Sequence, residues 1–342
     1  MKKRSNVLGI IVVVLILLVS LFGLKLADRS MTKTNAKQEE TAKKENIPTI
    51  GILQLVSHPA LDAIKKGIVD GLADAGYKEG KTIKIDFQNA QGDQGNLSTM
   101  AQQLLTKDKK LVVGITTPAA QQLAGKETER PIILSGVTYP EQAGLVESED
   151  HPGKNVTGVS DRVNIKAQIS QIHEVLPKAK KIGILYTSSE DNAVAQAKTA
   201  EKEVKALGLL PVVKSVTNTT DIHQVATQLA SEVDAIYVPI DNGIASAMAT
   251  LVQVTDQAKI PVFPSADTMV KDGGLMGMGV DQYQIGRLTA KVVVDVLKGK
   301  NVADYPIQVA DKGTTYINKK KVKELGIEIP ESIAKDAVMV NE

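Results

Sequence analysis

The chain has 342 residues, enough for two domains of ordinary size, and its 41 basic residues nearly balance 39 acidic ones. This balance does not indicate a nucleic-acid-binding surface, and a sequence without cysteine excludes disulfides, thiolate metal sites, cysteine nucleophiles and a lipid-modified cysteine. Tryptophan is absent and aromatic residues make up 3% of the chain, so a base-stacking platform would depend on a few tyrosines.

The N-terminal residues differ in character from the rest of the chain. Basic residues at positions 2–4 precede an uncharged, mostly apolar run over 7–24, which is long enough to cross a bilayer. This charge placement predicts an uncleaved signal anchor over 1–24 in the cell membrane, with the remainder outside the cytoplasm; a cleaved signal peptide is the alternative. Residues 25–46 are polar and charged, and they predict a flexible tether.

From Ile47 onward, short apolar runs alternate with amphipathic runs of helical spacing. In the first half the strand-like runs are PTIGILQLV, KTIKIDFQ, LVVGI and PIILSG. The pattern restarts at KKIGILYTSSEDN, and it continues through a predicted helix over 243–259 to the strand IPVFPS. Such alternation is typical of parallel βαβ units, so the two halves predict an α/β fold with two lobes of similar size.

Polar residues follow six of the predicted strands, directly before a predicted helix. One such cluster alone is explained by a helix cap, with Thr117 as N-cap and Pro118 as the first helical residue. Six clusters at matching positions predict a polar cleft if the lobes face each other, since ligands of α/β proteins bind beyond the carboxyl ends of the strands. The candidate ligand-binding residues at these strand ends are Ser57, Thr116, Thr117, Thr138, Tyr139, Tyr186, Ser188, Asn192, Asp241, Asn242 and Ser265.

The last part of the chain is less regular. The stretch GGLMGMG predicts a tight turn leading into a strand, because it lacks the strand-then-helix spacing of a phosphate loop. A helix over 287–299 follows it. The sequence contains no nucleophile elbow and no P-loop, and its histidines have no metal-binding spacing, so we predict neither an enzyme nor a metal site. The four histidines, which we interpret as surface or cap residues, are His58, His151, His173 and His223.

Four segments resemble a known family: HPALDAIKKGIVDGLADAGY, NVTGVSDRV, IYVPIDN and GMGVDQYQIGRLTA. They are similar to ABC transporter substrate-binding proteins of the type I periplasmic-binding-protein class, and more narrowly to the tryptophan or aromatic amino acid branch. The resemblance implies two Rossmann-like lobes joined by a three-segment hinge, with crossings near 157–160, 279–282 and 305–308. The implied bounds are 47–157 plus 282–304 for the first lobe, and 158–281 plus 305–342 for the second.

The resemblance also implies what the protein does. The lobes would close on an amino acid, tryptophan or phenylalanine, and a membrane permease would recognise the closed form. The implied partners are therefore this small molecule and ABC permease subunits, with no cofactor, no nucleic acid and a monomeric state. A ligand-binding sensor domain, or a receptor for another small polar solute, is the alternative. An extracellular enzyme is disfavoured because no catalytic set is visible.

If the ligand is an amino acid, the candidate residues can be matched to its chemical groups. Hydroxyl and N–H groups at Ser57, Thr116 and Thr117 suit its carboxylate, and Asp241 suits its ammonium group. Capping of the helix that follows is the other interpretation of Asp241. The remaining assignments are Asp281 as a second acid, Ser188 and Asn192 as polar contacts, and Tyr139, Tyr186 and Tyr283 as stacking partners for an aromatic side chain.

Overall fold

The computed structural model describes residues 47–106, 108–310 and 313–342. The strands are β1 (Thr49–Gln54), β2 (Lys84–Asn89), β3 (Lys109–Ile115), β4 (Ile132–Ser135), β5 (Val156–Ser160), β6 (Lys181–Thr187), β7 (Leu210–Val216), β8 (Ala235–Val238), β9 (Val262–Pro264), β10 (Met276–Gly279), β11 (Gln308–Val309), β12 (Thr314–Asn318) and β13 (Val338–Val340). The α-helices are α1 (Pro59–Asp74), α2 (Gln94–Leu104), α3 (Thr117–Ala124), α4 (Ile165–Val175), α5 (Asp191–Ala206), α6 (Ile222–Ala230), α7 (Asn242–Ser246), α8 (Met248–Ala258), α9 (Asp267–Lys271), α10 (Gln282–Leu297), α11 (Lys319–Leu325) and α12 (Glu331–Ala334).

The first sheet has the strand order β11-β5-β4-β3-β1-β2, and its strands are parallel throughout. Ile50 and Ile52 of β1 pack with α1 and α10 on one face, and Leu53 packs with α2 and α3 on the other. Helices on both faces bury nearly every position of the central strands, which is why these strands are nearly continuous apolar runs in the sequence. We call this sheet with its helices the first lobe.

The helices α1 and α10 touch through their backbones. A Cβ atom at Gly67 would lie 2.2 Å from the Tyr283 carbonyl oxygen, and one at Gly286 would lie 2.1 Å from the Ile64 carbonyl oxygen. Glycine at both positions therefore permits a helix contact that a larger residue would push apart. The contact fixes α10, which comes late in the chain, onto the first lobe.

The second lobe contains two smaller sheets. One is parallel with the order β7-β6-β8-β9; the other has the order β10-β12-β13, in which β10 and β12 are antiparallel. The last four residues of the stretch GGLMGMG form β10, and a Cβ at Gly277 would lie 1.8 Å from the Pro264 carbonyl oxygen, so glycine allows β9 to approach. The single helix predicted over 243–259 is wrong in one respect, because the backbone at Ala247 (φ −121°, ψ 26°) divides it into α7 and α8.

The α/β fold with parallel sheets is thus as predicted. Strands β5 and β11 pair with each other in the first sheet, and the residue bounds of the lobes stay a prediction. The predicted signal anchor over 1–24 and the tether over 25–46 lie outside the described residues. Within the described ranges, the structure contains no helix of the length and apolar character required to cross a membrane.

Candidate functional site

The carboxyl ends of the parallel strands of the two lobes face each other across a narrow cleft. Side chains meet across it at two places: His58 Nε2 lies 3.3 Å from Asn242 Oδ1, and Gln121 Nε2 donates to Asp191 Oδ2 at 2.8 Å. The lobes are therefore closed on each other. The cleft is lined by His58, Ala60, Leu61, Thr116, Thr117, Gly136, Thr138 and Asp161 of the first lobe with the adjoining Gln282, and by Asn192, Ile240, Asp241, Asn242, Ala245, Ala266 and Met269 of the second.

The cleft gathers buried polar atoms that have no hydrogen-bond partner among the described residues. They are His58 Nδ1, Thr116 Oγ1, Thr117 Oγ1, Asp161 Oδ1 and Asn192 Oδ1. Buried polar atoms in proteins are nearly always paired, since desolvating them without a partner costs free energy. Five such atoms around one cleft indicate that a polar ligand supplies the partners.

The backbone at Thr116 is strained where it enters this cleft. Its φ of 88° and ψ of 160° are conformations that a β-branched residue rarely adopts. Thr116 occupies the N-cap position of α3, and neither its hydroxyl nor that of Thr117 makes a capping hydrogen bond. The predicted cap at Thr117 is wrong for this reason. Both hydroxyls are instead free to contact a ligand beside the N-terminus of α3.

Asp161 is the acidic group that the sequence analysis missed. It follows β5 directly and is 4% exposed. Burial raises its pKa from the ordinary 3.8 to about 6, and the hydrogen bond from Thr138 offsets only part of that rise. The signal in the sequence is the Ser-Asp pair after the run VTGV, a segment that the family resemblance marks only as a crossing between lobes. An ionised Asp161 in this position requires a cation.

Asp241, the acid predicted to contact an ammonium group, has its oxygens occupied. Oδ1 accepts hydrogen bonds from Ile244 N at 2.8 Å and from Thr187 Oγ1 at 2.8 Å, and Oδ2 accepts one from Thr187 N. It is thus the N-cap of α7 and ties that helix to the end of β6. Burial, the largest cause, raises the pKa of Asp241.

Glu190 makes a second set of bonds in the same wall of the cleft. Its carboxyl accepts hydrogen bonds from Gly243 N at 2.8 Å, from Asn242 N at 3.3 Å and from Asn242 Nδ2. Burial and the nearby Asp241 raise the pKa of Glu190. Together the two carboxyls hold the start of α7 against the end of β6.

The structure brings half of the predicted site residues into the cleft. Thr116, Thr117, Thr138, Asn192, Asp241 and Asn242 line it. The side chains of the others lie elsewhere: Ser57 is exposed and donates to Asp62, Ser188 donates to Val216 O, Ser265 bonds within the buried Gln168–Tyr237 group, and Asp281 caps α10.

The predicted stacking tyrosines are not in the cleft either. Tyr186 packs against the core of the second lobe, and Tyr283 donates to Asp70. Tyr139 lines a neighbouring gap with Thr117 and Asn192. No aromatic carbocycle lines the cleft itself in the part of the chain that the structure describes.

A more open groove of about 620 Å³ lies at the amino ends of the second lobe's strands, between 174–179 and 326–330. None of the unpartnered buried atoms of the described ranges belongs to it. The groove also lies at the amino ends of the strands, whereas α/β proteins bind ligands beyond the carboxyl ends. Likewise, the described residues contain no group of three potential metal ligands. The cleft is therefore the candidate site.

Comparisons with known proteins identify the family of the chain. Residues 49–341 match the family model described as ABC transporter substrate binding protein. A tyrosine-binding protein of Clostridioides difficile (strain R20291) is 35% identical over 328 residues, covering 96% of this chain and 94% of that protein.

Two solved structures are similar along nearly their whole length. The ABC domain in complex with L-Trp from Streptococcus pneumonia is 46% identical with a TM-score of 0.83, covering 85% of this chain and 99% of that one. A ligand-free, open substrate-binding protein with adhesive properties from Clostridium difficile is 34% identical with a TM-score of 0.65, covering 86% and 99%. These relatives are substrate-binding proteins and not enzymes. The chain belongs to the family of ABC transporter substrate-binding proteins.

Proposed function

We propose that the chain is the extracytoplasmic solute-binding subunit of an ABC importer, that it binds a free aromatic amino acid in the cleft, and that it delivers this ligand to a membrane permease as a monomer. The apolar run over 7–24 would anchor it in the membrane. The observation that carries the proposal is the set of unpartnered buried atoms in the cleft. Their chemistry is complementary to a zwitterion.

The carboxylate of the ligand is assigned to Thr116 and Thr117. Both hydroxyls can donate, and they lie at the start of α3, where backbone N–H groups and the helix dipole favour an anion. The strained backbone at Thr116 supports this assignment, since such strain is concentrated at functional sites.

The ammonium group of the ligand is assigned to Asp161 and not to Asp241. Asp161 Oδ1 is buried without a partner in the described ranges, whereas both oxygens of Asp241 accept protein hydrogen bonds. A buried carboxylate and a buried ammonium group each require an opposite charge when water is excluded. Asn192 Oδ1 on the opposite wall supplies a further acceptor.

The side chain of the ligand is assigned to the apolar part of the cleft. Leu61, Ala245, Ala266 and Met269 line this part and are buried. Three of them belong to the second lobe, so closure of the lobes completes the pocket. Small alanines beside a polarisable methionine accommodate a large flat group.

The closed arrangement of the lobes supports binding by hinge closure. The fold matches the tryptophan complex with a TM-score of 0.83 and the open, ligand-free relative with 0.65. The contacts between His58 and Asn242 and between Gln121 and Asp191 would form only on closure.

Calorimetric titration tests the proposal. The full-length chain, kept in a mild detergent because of its apolar run, is unfolded and refolded to remove carried-over ligand. It is then titrated with tryptophan, tyrosine, phenylalanine, leucine and ribose. We expect micromolar or tighter binding of an aromatic amino acid, with leucine and ribose silent. If none of the three aromatic amino acids binds, the proposal that the ligand is an aromatic amino acid is refuted.

A further inference from the structure

His58 is a buried histidine whose ring faces the cleft. The sequence analysis placed it at the surface or in a cap, but it is 7% exposed, and it occupies the N-cap position of α1 without a capping hydrogen bond from its side chain. Nε2 contacts Asn242 Oδ1 of the second lobe. Nδ1 is buried and has no partner within the described ranges. One edge of the ring thus joins the lobes, and the other edge has no partner among the described residues that it could contact in place of a ligand.

The hydrogen bonds around Asn242 fix which ring nitrogen carries the proton. Both oxygens of Glu190 accept backbone N–H groups, so the Asn242 side-chain NH₂ points to Glu190 and its Oδ1 points to His58. With Asn242 in this orientation, His58 Nε2 is the donor of the contact to Asn242 Oδ1. Burial, the largest cause, lowers the pKa of His58 below the ordinary 6.5, which keeps the ring neutral. A neutral ring protonated at Nε2 presents Nδ1 as a bare acceptor.

The strand order places this acceptor away from the group that binds the ammonium. Asp161 follows β5 and His58 follows β1, and the order β5-β4-β3-β1 separates these strands by three spacings, about 14 Å. Thr116 and Thr117 follow β3, which lies between them. The ammonium and carboxylate groups of an amino acid are attached to one carbon, so a ligand held at β5 and β3 reaches β1 with its side chain.

We propose that His58 is a specificity-determining residue whose Nδ1 accepts a hydrogen bond from an N–H or O–H group on the side chain of the bound amino acid. This inference rests on the proposed function. It predicts a preference for tryptophan and tyrosine over phenylalanine, because phenylalanine would leave a buried acceptor unpaired.

A pair of isosteric ligands tests the hydrogen bond directly. In 3-benzothienylalanine a sulfur atom replaces the indole N–H of tryptophan and little else changes. We expect the full-length chain to bind tryptophan at least about tenfold more tightly than this analogue, and tyrosine at least about tenfold more tightly than phenylalanine. The measurement uses the unsubstituted protein, so it does not depend on whether a variant folds.

Substitution of His58 then tests whether this residue causes the preference for tryptophan and tyrosine. His58→Leu should reduce both affinity ratios toward one, while His58→Asn, which keeps an acceptor near the position of Nδ1, should retain part of them. His173→Leu is the matched control: one ring nitrogen of His173 is also unpartnered within the described residues, but it lies on α4 outside the cleft and should leave both ratios unchanged.

The possible failures are distinguishable. Equal binding of tryptophan and its sulfur analogue by the unsubstituted protein would overturn the role of His58 and leave the proposed function standing. The same conclusion would follow if His58→Leu weakened all aromatic ligands by one common factor. Absence of binding by every amino acid would overturn the proposed function, and with it this inference.

Discussion

The two walls of the cleft both carry buried carboxyl groups, but they use them differently. On the first lobe, Asp161 and the hydroxyls of Thr116 and Thr117 have unpartnered atoms within the described chain. On the second lobe, Glu190 and Asp241 accept hydrogen bonds from Asn242, Gly243, Ile244 and Thr187, and so hold their own wall together. A carboxyl whose oxygens already accept protein hydrogen bonds holds nearby segments of the chain together, whereas one with an unpartnered oxygen is available to a ligand.

This difference predicts an order of events in binding. The first lobe presents the groups that match the carboxylate and the ammonium of an amino acid, so the ligand should bind there first. The second lobe contributes a wall that is already shaped, with Asn192 and apolar side chains, and it closes over the ligand. Four experiments would sharpen or refute the comparison; they are described from the largest expected change in affinity to the smallest.

Asp161→Asn should have the largest effect. Removal of one partner from a buried ion pair costs several kcal/mol, so affinity for the amino acid should fall by at least about 100-fold in calorimetry. The ligand-free variant should nevertheless unfold at the same temperature or higher. Folding raises the pKa of Asp161 from 3.8 to about 6, and its ionisation at pH 7 therefore destabilises the folded state, by an amount on the order of 1–3 kcal/mol. If the variant instead lost stability and kept its affinity, Asp161 would be a structural carboxyl and not the group that binds the ligand.

The double substitution Thr116→Val and Thr117→Val should cause the second-largest loss of affinity. Loss of two hydroxyls that donate to a carboxylate should weaken binding by about 10- to 100-fold. Because neither hydroxyl has a partner among the described residues, replacing each with a methyl group of similar shape should leave the free energy of unfolding nearly unchanged. Titration and thermal unfolding of the same preparation provide the check. Lower stability with unchanged binding would mean that these threonines only cap α3.

Acid should weaken binding through the same carboxyl. Above pH 6 Asp161 is ionised; below that value its raised pKa makes it neutral, and it no longer attracts an ammonium group. Affinity should therefore be constant from pH 8 to pH 6.5 and fall about tenfold per pH unit below 6. Titrations at pH 7.5, 6 and 5 would measure this, and at pH 5.5 two buffers with different ionisation heats should reveal a proton released on binding. The affinity of the Asp161→Asn variant should not show this dependence on pH.

Asp241→Asn should change affinity least and stability most. The new amide group faces the N–H donors of Thr187 and Ile244, where an oxygen atom accepted before, so the free energy of unfolding should fall by about 1–2 kcal/mol. Affinity at a temperature well below unfolding should change by less than about threefold. Denaturant unfolding monitored by circular dichroism gives the first quantity, and calorimetry gives the second. A loss of affinity matching that of Asp161→Asn would restore Asp241 as the ammonium partner.

The sequence was sufficient for the central strands but insufficient for the chemistry of individual side chains. Strands such as β3 are buried on both faces and therefore appear as apolar runs. Strand β13 is short, with Val338 and Met339 exposed, so no such run marks it. Asp241 lies beyond the carboxyl end of β8, as its place in the sequence indicates. Its oxygens nevertheless accept hydrogen bonds from Thr187, which is distant in sequence. A strand end specifies where a side chain lies, and only the folded structure specifies what it contacts.

The backbone contact between α1 and α10 also constrains how the molecule is made. Gly67 and Gly286 come from opposite ends of the described chain, with most of the second lobe between them. During synthesis, the first lobe therefore lacks a helix on one face until the chain past Leu297 has been produced. Chaperones that hold the emerging polypeptide would need to shield the apolar surface of α1 and β1 during that interval. A larger residue at either glycine should consequently reduce the yield of folded protein more than it reduces the affinity of the molecules that do fold.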